Sequence, residues 1–271
     1  MMNRSDFMRF GVSMDMRCPE NVIKAKNAGF DYIECKFNVM AQSSQEEFDG
    51  FCSALDEAGI KCETCNGLIP RDIPLLGKGY SKSKLTEHLK SGFSRCAVLG
   101  VDTVVLGSGK ARSYPEYMTY GEGFYALSRV IGDVIAPLAE EYGIMIVIEP
   151  LNKGETNIIN TVKEGVMLAS ASRRHNVSGL VDLYHMALEG DTIDNIRQVK
   201  GNLSHAHIAN PFETKSGRKA RSYPAGDDEY DYKGFIDAIS YAGCKRCSVE
   251  ASVIDLDSDL IFSGKLFQKY K

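Results

Sequence analysis

The chain has 271 residues, of which 44% are apolar and 25% are charged. This composition is that of a globular protein and excludes a disordered, collagen-like or coiled-coil chain. The formal net charge of -4 argues against a nucleic-acid or anionic-membrane partner, and no apolar run approaches the roughly 18 residues of a membrane span.

Short apolar runs alternate with longer amphipathic stretches in the first half of the chain. Most of the amphipathic stretches are followed by a glycine, which is the usual residue at a helix C-terminus. We predict strands at residues 10–14, 32–37, 61–65 and 103–106, and helices at residues 19–28, 45–58, 83–99 and 121–142.

The second half repeats the pattern, with strands predicted at residues 144–148, 179–183, 203–208 and 246–249, and helices at 161–170, 192–199, 232–242 and 260–268. Eight strand-then-helix units in series predict an α/β fold with a parallel sheet, closed as a single (β/α)8 TIM barrel. We expect one catalytic domain over residues 1–271. An open doubly wound sheet would need a Gly-rich turn after the first strand, and residues 13–17 do not form one.

Eight cysteines include two CxxC pairs, Cys62–Cys65 and Cys244–Cys247. Together they could form a four-thiolate zinc site. Each pair overlaps a predicted buried strand, however, so we interpret these cysteines as small apolar core residues. The N-terminus lacks the apolar stretch of a secretory signal, which favours a cytoplasmic protein with reduced thiols.

Ionisable side chains stand at the ends of four consecutive predicted strands: Glu149, Asp182, His207 and Glu250. In an α/β barrel, chemistry is located at these C-terminal strand ends. Three carboxylates so close together would repel each other unless a cation lay between them, and carboxylates with one imidazole suit a divalent ion. His205 shares a strand face with His207 but lies one layer deeper, so His207 is the better metal ligand.

Three stretches around these residues resemble a known family. They are residues 148–157 (Ile-Glu-Pro-Leu-Asn-Lys-Gly-Glu-Thr-Asn), residues 181–186 (Val-Asp-Leu-Tyr-His-Met), and residues 205–211 together with 248–252. The sequence resembles the xylose-isomerase-like barrel superfamily, the sugar phosphate isomerase/epimerase family, and is most similar to its D-tagatose/D-psicose (ketose) 3-epimerases.

The resemblance implies roles for individual residues. It implies metal ligation by Glu149, Asp182, His207 and Glu250, with Glu149 and Glu250 also catalytic. It also implies substrate binding by Glu155 and His185.

The chain departs from the family at one substrate position. The family places a substrate arginine six residues after the metal-binding histidine, and this chain has Glu213 there. Arg218 and Arg221 follow in a basic, glycine-containing loop, and we expect one of them to make the equivalent contact. On the early strands, Glu34, Asn66 and Ser108 could also line the site, without an assigned role.

The activity implied by the resemblance is proton abstraction next to the carbonyl of a ketose, through a metal-bound ene-diolate, most directly ketose 3-epimerisation. The expected cofactor is one divalent ion, Mn²⁺ first, with Mg²⁺, Co²⁺ or Zn²⁺ as alternatives. The expected partner is a sugar, in a homodimer or homotetramer.

The alternatives are an aldose–ketose isomerase and an inosose-type dehydratase, which begin with the same proton transfer. An endonuclease IV-like repair enzyme would need histidines after the second and third strands, which are lacking at residues 36–39 and 66–70. A non-catalytic sugar-binding barrel is a further alternative.

Overall fold

Eight parallel strands form a closed barrel in this computed structural model, which describes residues 8–217, 219–224, 230–252 and 255–271. Strands β8 and β9 form a separate antiparallel hairpin after β7. The order around the barrel is β1-β10-β7-β6-β5-β4-β3-β2. The strands are β1 (Arg9–Met14), β2 (Tyr32–Lys36), β3 (Cys62–Asn66), β4 (Thr103–Leu106), β5 (Met145–Ile148), β6 (Val177–Asp182), β7 (Leu203–Ile208), β8 (Asn210–Glu213), β9 (Lys219–Ser222) and β10 (Arg246–Val249). The prediction of a TIM barrel is confirmed.

Helices connect successive barrel strands, as a parallel sheet requires. Among the described residues, no helix is both long and apolar enough to cross a membrane. The helices are α1 (Val22–Asn27), α2 (Phe37–Gln42), α3 (Gln45–Ala58), α4 (Lys82–Leu99), α5 (Gly109–Arg112), α6 (Tyr120–Val130), α7 (Ala136–Glu141), α8 (Val162–Ala171), α9 (Leu183–Glu189), α10 (Ile193–Gln198), α11 (Tyr232–Ala242) and α12 (Leu256–Phe267).

Alternation along the strands separates the inside of the barrel from its outer face. Val105, Val147 and Leu180 form a small buried cluster of their own. Their strand neighbours, including Val104 and Ile146, belong to the large core shared with the helices. Strands buried on both faces therefore read as continuous apolar runs, which is why they were recognisable in the sequence.

The structure differs from the sequence prediction at several places, and Phe37, predicted as a strand residue, begins helix α2 instead. The helix predicted over residues 121–142 is interrupted by a π-helix at Ile131–Ile135, which ends two residues before Pro137, and the missing N–H of Pro137 prevents a regular turn. Helix α9 begins immediately after Asp182, within residues partly predicted as strand. The loop after β7 contains the β8–β9 hairpin, which alternation did not reveal.

The two CxxC pairs lie on different parts of the barrel. Cys65 is in β3 and Cys247 is in β10, and β1 and β2 separate these strands. All four cysteines are buried. Cys62 and Cys65 lie instead beside Cys35 of β2, with Cys35 Sγ 3.4 Å from Cys65 Sγ. The two pairs therefore do not form one four-thiolate zinc site.

Arg112, at the end of α5, is a fully buried guanidinium that holds the ends of two strands together. Its Nη1 donates to the carbonyls of Leu106 (3.1 Å) and Glu149 (2.7 Å), and its Nη2 donates to the carbonyl of Ile159 (3.2 Å). Burial lowers the pKa of Arg112 to about 10, so the side chain stays charged at neutral pH.

Replacing Arg112 with Met should lower the free energy of unfolding by about 3 kcal/mol, because three buried carbonyls lose a charged donor. Urea denaturation measures this value. The neighbouring, exposed Lys110 is the matched control, and Lys110→Met should change the stability by less than about 0.5 kcal/mol. Equal effects of the two substitutions would show that Arg112 does not anchor these strands.

Candidate active site

Four ionisable side chains converge at the C-terminal end of the barrel. Asp182 ends β6 and His207 lies in β7, whereas Glu149 and Glu250 directly follow β5 and β10. One ligand atom from each lies within 4.8 Å of the ligand atoms of the other three. The structure therefore brings together the four side chains that the sequence predicts as metal ligands.

His207 occupies the centre of this group and is fully buried. Its Nδ1 lies 3.2 Å from Glu149 Oε1 and 3.3 Å from Glu250 Oε2. Burial opposes ionisation of Glu250, but Arg221 and His207 outweigh it and lower the pKa of that carboxyl. Two carboxylates thus approach one imidazole nitrogen from strands on different sides of β7.

Asp182 is the most enclosed carboxylate of the group. Its Oδ1 accepts a hydrogen bond from the Tyr184 backbone N–H at 2.8 Å, which begins helix α9. Its Oδ2 lies 3.1 Å from Arg221 Nη1. Burial raises the pKa of Asp182 despite this nearby guanidinium, so a further cation beside it would stabilise its charged form.

Arg221 reaches the site from β9, the return strand of the hairpin. It contacts Glu250 through Nη1, and its Nη2 lies 2.5 Å from His185 Nε2. The guanidinium also stacks over the Tyr184 ring, 4.7 Å from the centroid. Of the two arginines predicted for substrate contact, Arg221 is in the site, and Arg218 lies outside the described residues.

His185 and Glu155, the other predicted substrate residues, are connected through Asn152. The Asn152 backbone N–H donates to His185 Nδ1 at 3.0 Å, and its side chain donates to Glu155 Oε1 at 3.1 Å. Burial lowers the pKa of His185 to about 3, so the ring is neutral. His185 Nε2 lies 3.8 Å from Asp182 Oδ2, whereas Glu155 is exposed at the rim.

Two of the early-strand residues that the sequence left without a role contact the candidate site. Glu34 is fully buried inside the barrel, beneath the four-residue group, rather than on a loop at its rim. Asn66 Nδ2 donates to Glu250 Oε1 at 2.9 Å and to Ser13 Oγ at 3.0 Å. In the sequence, Glu34 is a charged residue within a predicted strand and Asn66 directly follows one, and no other signal marked either role.

A cavity of about 630 Å³ opens beside Glu250 and Arg221 at the mouth of the barrel. It is large enough for a monosaccharide. A second cavity of about 500 Å³ lies at the opposite end of the barrel, along Met145 and Ser178, and contains none of the four converging residues. We assign it no role.

The donor set fits a divalent ion. Glu149, Asp182 and Glu250 present carboxylate oxygens, and His207 presents an imidazole nitrogen, within the span of one coordination sphere. Oxygen ligands with a single imidazole suit Mn²⁺, Mg²⁺ or Co²⁺. Asp182 Oδ2 accepts no hydrogen bond of good geometry from the described residues, which leaves an orbital available for an ion.

Gly107, directly after β4, leaves room for the Glu149 carboxylate because it has no side chain. A Cβ added at Gly107 would lie 2.1 Å from Glu149 Oε2, so Gly107→Ala must displace that carboxylate. We expect the affinity for Mn²⁺, measured by isothermal titration calorimetry, to fall about tenfold or more. Gly50→Ala is the control, because a Cβ there meets nothing within 4 Å. Unchanged affinity in Gly107→Ala would contradict the placement of Glu149 in the metal site.

Comparisons with known proteins agree with this architecture. The sequence model of the xylose isomerase-like TIM barrel family matches residues 22–257. A D-psicose 3-epimerase of Agrobacterium fabrum is 38% identical, but only over 27% of this chain and 26% of that enzyme. A ketose 3-epimerase of Arthrobacter globiformis is 26% identical over 82% of this chain and 73% of its own length.

A crystal structure of the IOLI protein with a bound zinc atom superposes with a TM-score of 0.73 and 19% identity, covering 97% of this chain and 99% of that one. At this identity the likeness establishes the fold alone. The family match extends over most of the chain and includes all four converging residues. The chain therefore belongs to the xylose isomerase-like TIM barrel family.

Proposed function

We propose that this protein is a divalent-metal-dependent epimerase that inverts the carbon next to the carbonyl of a ketose. The observation that carries this proposal is the position of Glu149 and Glu250, whose oxygens lie 3.2 Å and 3.3 Å from the same His207 nitrogen. Epimerisation requires one group to remove a proton from one face of a carbon and another to return a proton to the opposite face. Two carboxylates from separate strands supply such a pair.

The ion would be held by Glu149, Asp182, His207 and Glu250. When bound, it supplies Lewis-acid polarisation of the substrate carbonyl, which acidifies the adjacent C–H. Mn²⁺ is our first assignment, because three of the four donors are carboxylates.

The two carboxylates differ in exposure and in the groups that hold them. Glu149 is buried, with 4% of its surface exposed, and its backbone is fixed by Arg112. Glu250 borders the cavity, and Asn66 Nδ2 and Arg221 hold its two oxygens. We assign proton removal and return to this pair.

Three further side chains would orient the sugar. The neutral His185 ring and the Arg221 guanidinium present nitrogens beside Asp182, where they can contact substrate hydroxyls. Glu155, at the rim and linked to His185 through Asn152, is placed to contact a more distant hydroxyl. We assign to Arg221, which comes from the β8–β9 hairpin, the role of the family's substrate-contacting arginine.

The relatives support the substrate class. Curated relatives are named D-psicose and ketose 3-epimerases, and the zinc of the IOLI structure shows that a barrel of this shape holds a divalent ion. The aligned segment spans only 26% of the first of these relatives, so the ketose substrate and C3 as the reacting carbon are part of our proposal.

Incubation of the Mn²⁺-loaded protein with fructose, psicose, tagatose and ribulose in D₂O tests the proposal directly. We expect deuterium at C3 together with the C3 epimer, measured by NMR after removal of the metal. Glu149→Gln and Glu250→Gln should each lower the exchange rate by about 10²–10⁴-fold, since each removes one proton-transfer group.

Glu57→Gln, on the exposed part of α3, is the matched control and should leave the exchange rate unchanged. Deuterium at C1 with formation of an aldose would replace the epimerase by an aldose–ketose isomerase. Loss of water from an inosose would point to a dehydratase. Exchange that persists in both glutamine variants would contradict the assignment of the carboxylate pair.

A further inference from the structure

A carboxylate lies inside the barrel, directly beneath the candidate metal site. Glu34 of β2 has no exposed surface, in a region where barrels of this type usually carry branched apolar side chains. A charged group in such a place is retained only where donors surround it. Its contacts therefore indicate what it does.

Both oxygens of Glu34 face donors. Oε2 accepts a hydrogen bond from Thr64 Oγ1 at 2.7 Å and lies 2.9 Å from His205 Nε2. Oε1 lies 2.9 Å from His207 Nε2. Neither Oε1 nor His207 Nε2 makes a hydrogen bond of good geometry in the described part of the chain, so at 2.9 Å each is available as the partner of the other.

A β-bulge produces this arrangement. Ile33 pairs with Cys62, but the register between β2 and β3 then shifts by one residue, so that Glu34 pairs with Thr64. Without the shift, Glu63 would lie opposite Glu34 and two carboxylates would meet. The bulge replaces a repelling neighbour with a hydroxyl donor.

The contacts determine which nitrogen of His207 carries hydrogen. An ionised carboxylate only accepts hydrogen bonds, so an atom that pairs with Glu34 Oε1 has to be a donor. His207 Nε2 must therefore carry the hydrogen that faces Oε1. With an ion in the site, a ring that keeps its hydrogen on Nε2 offers the lone pair of Nδ1 to that ion, beside Glu149 and Glu250.

We propose that Glu34 is a positioning residue that holds His207 as the Nε2–H tautomer, so that Nδ1 is available to bind the divalent ion with Glu149, Asp182 and Glu250. This inference rests on the metal site of the proposed function. A carboxylate that accepts from the far nitrogen of a metal-bound imidazole fixes the ring and strengthens it as a ligand. Glu34 would do so from the floor of the site, without contacting ion or substrate.

A second part of the same network supports the role. His205 Nε2 lies 3.3 Å from Ser248 Oγ, which in turn lies 2.9 Å from the Tyr32 hydroxyl. These groups come from β2, β7 and β10, and all are buried. Glu34 is thereby held by groups from several barrel strands and cannot turn away from His207 without breaking this network.

The ring nitrogens of His207 can be read directly by ¹⁵N NMR of the Zn²⁺-loaded protein, labelled at its five histidines. We expect one imidazole ring with hydrogen on Nε2 and a metal-shifted Nδ1 resonance. The disappearance of these signals in His207→Asn assigns the ring to His207. The opposite pattern, with zinc on Nε2, would overturn the proposal without any variant at position 34.

Glu34→Gln should weaken Zn²⁺ and Mn²⁺ binding about 10–100-fold in chelator competition, and should shift the Nε2–H resonance. Glu34→Asp should recover part of the affinity. Thr64→Val is the matched control, because it removes a hydrogen bond from the same carboxylate but leaves the His207 contact, and its metal affinity should change less than about threefold.

The possible failures are distinguishable. A wild-type protein that binds neither metal would overturn the metal site and, with it, this inference. If Glu34→Gln binds both metals as tightly as the wild type and shows the same His207 resonances, only the role of Glu34 is overturned. Equal losses in Glu34→Gln and Thr64→Val would show a general structural effect and would also reject the positioning role.

Discussion

The mutual repulsion of three carboxylates at one end of the barrel is the constraint on which the site depends. At the 4.8 Å span of the group, two carboxylates repel each other by about 3 kcal/mol at an effective dielectric constant near 20. Such an arrangement lasts only where positive charge and hydrogen-bond donors offset it. The surrounding structure supplies both through Arg221 and the Tyr184 backbone N–H, and a divalent ion would offset the repulsion further.

The barrel makes this convergence possible because parallel strands end at the same rim. Glu149, Asp182, His207 and Glu250 come from β5, β6, β7 and β10, which are consecutive around the barrel. Arg112 fixes the backbone at Glu149 from outside the group. Arg221 enters from above through the hairpin, and Glu34 supports His207 from below. The site is thus held from three directions by residues that are far apart in sequence.

Much of this could be predicted from the sequence, for physical reasons that differ between residues. Buried strands are continuous apolar runs, so β4, β7 and β10 were located at their observed bounds. A charged residue at the end of such a run is conspicuous, which identified Asp182 and Glu250. The roles of the site residues remain predictions, although the structure places the four proposed ligands together.

Other features depend on contacts that no local pattern carries. Glu34 resembles a rim residue in the sequence, and only the bulge against β3 shows that it faces His207. Arg221 was one of two arginines in an apparent loop, because strands β8 and β9 lack apolar alternation. Helix α9 starts within a predicted strand because Asp182 caps it with its side chain. Tertiary context outweighed local propensity in each case.

Titration of the metal-free protein with Mn²⁺, followed by electron paramagnetic resonance of the free ion, tests the central claim most directly. We predict one tightly bound Mn²⁺ per chain. Asp182→Asn should weaken binding at least about tenfold, since it removes a proposed ligand, whereas Asp49→Asn on the exposed part of α3 should not. Absence of a tight site in the wild type, or equal binding by Asp182→Asn, would contradict the proposal that these four side chains form a metal centre.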